Sequence, residues 1–113
     1  GDATKAETYK KLLDGQQANL VITDPPYNVD YKGTAGKLKN DNMESTKFHA
    51  FLLSAYRCMY DALVDGGGIY VFHADRETVN FRTAFTEAGF FCHQTCIWIK
   101  NTPVLALRLS IQP

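Results

Sequence analysis

The sequence predicts an α/β fold: a mostly parallel sheet of about three strands flanked by helices, in a single domain over residues 1–113. Three observations carry this. Leu20-Val21-Ile22 and Ile69-Tyr70-Val71-Phe72 are short, continuous apolar runs with the length of strands covered on both faces. Apolar residues recur at helical spacing between and after these runs. Glycines stand where the helices should stop. The resulting order of helix, strand, helix, strand, helix, strand is the signature of layered α/β structure.

The elements follow in chain order. Residues 3–14 form a helix from Ala, Leu and Lys content, with Gly15 as its stop. Residues 19–23 are the first strand. A polar stretch from Asn28 to Asn42 is long for a connection in a compact domain, and it is expected to be the least ordered internal segment. Over 45–64, Phe48, Phe51, Leu52, Ala55, Tyr56, Met59, Ala62 and Leu63 mark one face of an amphipathic helix. Asp65-Gly66-Gly67-Gly68 reads as its stop. A second strand follows at 68–73, a third helix at 76–88 closed by Gly89, and a third strand at 92–100, where Ile97 and Ile99 should pack in the core.

Composition narrows the function. Twelve basic and twelve acidic residues cancel, whereas a free-standing duplex-binding domain usually carries a basic surplus. No apolar run approaches the roughly 20 residues of a membrane span, and the first residues lack a signal pattern, so the chain reads as soluble and cytoplasmic. Cys92 and Cys96 flank His93, but no second pair with zinc-like spacing accompanies them; buried thiols in a reduced compartment are the simpler reading. His73 reads as structural beside a helix-capping Asp75.

The chemistry sits in Asp24-Pro25-Pro26-Tyr27, directly after the first strand. Ligands of open α/β sheets lie beyond the carboxyl ends of strands. Two prolines fix φ and remove two amide donors, giving a stiff turn that presents a carboxylate, bare carbonyls and an aromatic ring. An exocyclic amine conjugated to a nucleobase is a poor nucleophile. Two acceptors, one for each N–H, favour a pyramidal nitrogen and stabilise the charge that develops on it. The Asp24 carboxylate and the Pro25 carbonyl are candidates for those acceptors. Tyr27 is a candidate for stacking on a base drawn out of the duplex. A chance Pro-Pro loop would give this tetrapeptide about once in a few thousand chains of this length.

Thr23 to Tyr31 resembles the catalytic motif of amino-group DNA methyltransferases in the adenine-N6 form, and the element order resembles the β group of that family. Asp65 to His73 is similar to the strand that follows the motif there. Ile97-Trp98-Ile99-Lys100-Asn101 resembles a strand end near the target base, and Gly1-Asp2 the motif whose acidic residue meets the cofactor's adenosine. The resemblance implies a partial Rossmann-like methyltransferase fold, S-adenosylmethionine as cofactor, a flipped adenine in DNA as partner, and a cytoplasmic protein of prokaryotic or phage type. It implies catalytic roles for Asp24, Pro25, Pro26 and Tyr27, cofactor contacts for Asp2 and Asp24, and nucleic-acid contacts for Tyr27, Asn28 and Lys100. The family's glycine-rich cofactor loop has no counterpart, because Gly66-Gly67-Gly68 precedes a strand, and Thr102 to Pro113 departs from the pattern. The expectation is therefore a catalytic half that is inactive alone. Cytosine-N4 methylation and a non-catalytic module that retains the fold remain alternatives.

Overall fold

A computed structural model describes residues 1–26, 45–99 and 101. The element order is α1 (Ala6–Leu13), β1 (Ala18–Thr23), α2 (Ser45–Ala62), β2 (Leu63–Val71), a 3-10 turn at Asp75–Glu77 and α3 (Thr78–Glu87). The α/β class and the parallel pairing expected from the sequence are both present. β1 and β2 form a parallel pair, with Val21 opposite Ile69, Ile22 opposite Tyr70 and Thr23 opposite Val71.

The core lies on one face of this pair. Phe48, Leu52, Ala55, Tyr56 and Met59 of α2 meet Phe81 and Ala84 of α3, and Val21, Ile69 and Val71 of the sheet pack against that cluster. Aromatic edges lock the layer. Phe48 meets Phe81 edge-on at 5.6 Å between centroids, and Tyr56 meets Phe85 at 5.6 Å. Such pairs add about 0.5–1.5 kcal/mol beyond the area they bury. His49 of α2 and Glu87 of α3 bridge the two helices at their surface.

Tyr56 carries the one buried side-chain polar atom without a hydrogen-bond partner among the described residues, its hydroxyl. An orphan of this kind costs about 1–3 kcal/mol of desolvation, so Tyr56→Phe should leave the melting temperature unchanged or raise it. Burial also pushes this hydroxyl's pKa up from its ordinary 10.0. Above pH 10 the unfolded chain releases a proton that the folded chain keeps, so stability falls as pH rises through that range. Tyr56→Phe should flatten that alkaline loss, as measured by thermal melts between pH 8 and about pH 11.

Four expectations are corrected. The sheet is not covered on both faces: Leu20 and Ile22 are 50% and 65% exposed, because α2 and α3 both lie against the opposite side. Asp65 to Gly68 is not a helix stop ahead of a strand. α2 ends at Ala62 and β2 starts at once, with a register jump that pairs Ala18 with Leu63 but Leu20 with Gly68. The extra β2 residues bulge out between those pairs, and Gly66 takes φ +79° there, a conformation open to glycine. The third strand at 92–100 is absent from its described part, 92–99, and Ile97 and Ile99 are 83% and 86% exposed. Aromatic and β-branched residues favour a strand only where a neighbour supplies ladder partners and a packing surface, and none of the described elements does so. Cys92 and Cys96, expected to be buried, lie in that same exposed segment.

Local chemistry at helix ends also departs from the sequence reading. Asp75 does not cap α3 with its side chain; its carbonyl accepts the Thr78 hydroxyl instead, inside the 3-10 turn. α1 closes one residue before the expected glycine, with Asp14 itself left-handed at φ 49°. Aspartate tolerates that region better than most residues. Gly89, at φ +113°, ends α3 where a Cβ would stand 2.9 Å from the Tyr60 ring. The 28–42 segment, with its expected disorder, lies outside the described residues.

Candidate functional site

The site begins with the geometry of the strand ends. Beyond the Thr23–Val71 pair, the Phe72 amide donates to the Thr23 carbonyl at 2.9 Å. That bond fixes the backbone at the point where both chains leave the sheet, so Asp24 and Phe72 emerge side by side. Asp24 is exposed, and Pro25 and Pro26 behind it are half-buried. Neither proline has an amide hydrogen, so the exposed Asp24 carboxylate is followed by two positions that offer carbonyls and no backbone donor. A strand end of that kind can accept hydrogen bonds and has few backbone groups to donate them.

The sheet's open face leads up to that strand end. Leu20 and Ile22 of β1 and Tyr70 of β2 alternate onto it, opposite in sense to Val21, Ile69 and Val71 on the helical side. Phe72 continues the alternation, and its ring lies 5.9 Å from Trp98. The sequence reading gave Phe72 no role. The signal was available in the period-two pattern, since Phe72 shares the parity of Tyr70 and stands one position past the partner of Thr23. His73, the next residue, stacks on Phe81 at 5.1 Å and its Nδ1 pairs with the Ala74 carbonyl, which gives it a packing role.

The other expected site residues are placed as follows. Asp2 precedes α1, and its Oδ1 accepts both the Thr4 amide at 2.9 Å and the Thr4 hydroxyl at 2.7 Å. This local turn organises the entry to α1, where the Tyr9 hydroxyl donates to the Ala3 carbonyl. Tyr27, Asn28 and Lys100 lie outside the described residues.

A separate recess of about 310 Å³ lies between α1 and α2, lined by Tyr9, Lys10, Leu13, Cys58 and Asp61 among others. Burial, with the Asp61 and Asp2 charges, pushes the Cys58 thiol up, and burial does the same to the Tyr9 hydroxyl. A nucleophilic cysteine needs the opposite shift, so this recess is a poor setting for thiolate chemistry. Among the described residues no three His, Cys, Asp or Glu side chains gather as a metal cluster would require. No helix among them is long and apolar enough to cross a membrane.

A dinucleotide-like cofactor needs a glycine-rich turn after a strand and before a helix. The described glycines at 66–68 lie within β2 instead, and the Asp2 Oδ1 is engaged by Thr4. The described residues thus supply acceptors at a strand end but not a cradle. A family model described as DNA methylase, of the N6/N4 methyltransferase type, matches residues 18–110. No curated protein and no solved structure matches the chain.

Proposed function

Because this chain belongs to the N6/N4 DNA methylase family, we propose that it provides the amine-activating half of an adenine-N6 DNA methyltransferase. The observation that carries the reading is the exposed Asp24 carboxylate at the end of β1, joined to the half-buried Pro25 and Pro26. The family's methyl donor, S-adenosylmethionine, supplies an electrophilic methyl group when bound. In this reading the Asp24 carboxylate accepts one N–H of the adenine amine and the Pro25 carbonyl accepts the other. Holding both localises the nitrogen lone pair and stabilises the positive charge that grows on it. Pro26 keeps the turn stiff, and Tyr27 stacks on the base drawn from the duplex. Asn28 and Lys100 contribute contacts to the nucleic acid.

Cytosine-N4 methylation uses the same two acceptors, and aspartate at the first motif position tilts the choice to adenine. Nucleoside analysis of DNA methylated by the enzyme that carries this segment decides the matter. N6-methyladenine is the expected product; N4-methylcytosine alone would reverse the assignment.

The absence of a cradle among the described residues gives a second expected result. Calorimetric titration of the 113-residue chain with S-adenosylmethionine should show weak binding or none. Micromolar affinity would mean that the cofactor site is more complete than the described glycines allow.

A further inference from the structure

The open rim at Asp24 has an aromatic neighbour that the acceptor chemistry does not use. Phe72 is 39% exposed and Trp98 is 73% exposed, yet the two rings sit 5.9 Å apart with their planes tilted by 55°. Neither belongs to the buried core cluster or to the hydrophobics packed against it. A lone exposed ring needs no explanation, but two rings held together at a strand end form a surface. Phe72 cannot drift from the rim, because its amide is bonded to the Thr23 carbonyl immediately before Asp24.

The chemistry of what fits is constrained from two sides. Each ring offers an uncharged π-face, and the neighbouring Asp24 carboxylate, exposed and with no cation paired to it among the described residues, offers an acceptor. A planar aromatic heterocycle with an exocyclic amine satisfies both at once: its face meets the ring and its N–H meets the carboxylate. We propose that Phe72, backed by Trp98, is a positioning residue: a ledge on which an unstacked, amine-bearing nucleobase rests beside Asp24. The proposal builds on the reading of Asp24 as an amine acceptor, and it adds a stacking partner drawn from β2. Stacking of this kind tolerates any base, because every base has a π-face. The carboxylate adds the preference for an amine.

Trp98 is the single tryptophan of the chain, so its emission reports directly on the ledge. The 113-residue chain is titrated in low salt with a short single-stranded deoxyadenosine oligonucleotide and, in parallel, with an abasic strand of the same length. Saturable quenching by the first and not the second is expected. Phe72→Leu keeps apolar bulk but removes the ring, and it should weaken that binding about tenfold, while Phe72→Tyr restores it. Phe72 lies outside the core, so neither variant should unfold the chain, and circular dichroism checks this. A measurement that needs no variant accompanies it: ultraviolet crosslinking of a 5-iododeoxycytidine strand, whose base carries an exocyclic amine, to the unaltered chain should map to Phe72 or Trp98.

Equal quenching by base-bearing and abasic strands, an unchanged Phe72→Leu affinity, or crosslinks confined to other segments would overturn the proposal. So would Trp98 emission that shifts with protein concentration and ignores the oligonucleotide, since a second copy would then cover the ledge. The two readings fail separately. If Phe72→Leu loses the base while Asp24→Asn leaves methyl transfer intact, the ledge stands and the acceptor role of Asp24 falls. The reverse pattern removes the ledge alone.

Discussion

Asp24→Asn in the enzyme that carries this segment should lower the single-turnover rate of methyl transfer by about a hundred- to a thousandfold, with DNA affinity nearly unchanged. The substitution keeps the shape of the side chain and one acceptor oxygen but removes the charge. Charge matters here because the amine nitrogen becomes positive only as the new C–N bond forms. A carboxylate beside it therefore stabilises the transition state more than the bound substrate, which is the condition for an effect on rate rather than on binding. Asp24 is also well placed for a clean test: it is exposed, follows the last residue of β1, and belongs to no core cluster. DNA affinity rests mainly on phosphate contacts, which the substitution does not touch. Tyr27→Ala should act differently, weakening capture of the flipped base at substrate concentrations where Asp24→Asn still binds normally. An Asp24→Asn enzyme that methylates at the parental rate would end the proposed mechanism.

The second large effect is expected in stability. Phe48 and Leu52 are fully buried on α2, and Phe48 touches both Phe51 on its own helix and Phe81 on α3. Phe48→Ala removes an aromatic ring from the cluster that α2 and α3 share and against which Val21, Ile69 and Val71 pack. Buried Phe→Ala substitutions cost about 3–5 kcal/mol, and small domains hold only about 5–15 kcal/mol in total. Thermal or urea melts of the chain should therefore show loss of most or all of the cooperative transition. Leu12→Ala on the exposed side of α1 serves as the comparison and should shift stability by less than about 0.5 kcal/mol. If Phe48→Ala melts like the parent chain, the α2–α3 cluster is not the centre of the fold.

Much of this was legible in the residues alone. The helical spacing from Phe48 to Ala62 determined α2 and its buried face, because a 3.6-residue period leaves only one stripe that can be apolar. The run at Leu20 to Ile22 determined β1, and the two prolines after Asp24 determined a strand end with a stiff, donor-poor rim. These are local properties, set by covalent geometry and side-chain period. What only the tertiary structure decided concerns neighbours. Apolar runs at Ile22 and Tyr70 look the same whether one face of a sheet is covered or two, and here α2 and α3 share one side. The glycines at 66–68 look like a helix stop until the parallel register draws them into a bulge of β2. Ile97 and Ile99 have strand propensity, but a strand is a pairwise object and propensity cannot supply its partner. The closeness of Phe72 to Asp24 belongs to the same class. It depends on one hydrogen bond between residues 49 positions apart, from the Phe72 amide to the Thr23 carbonyl, and no local pattern encodes the register that makes it.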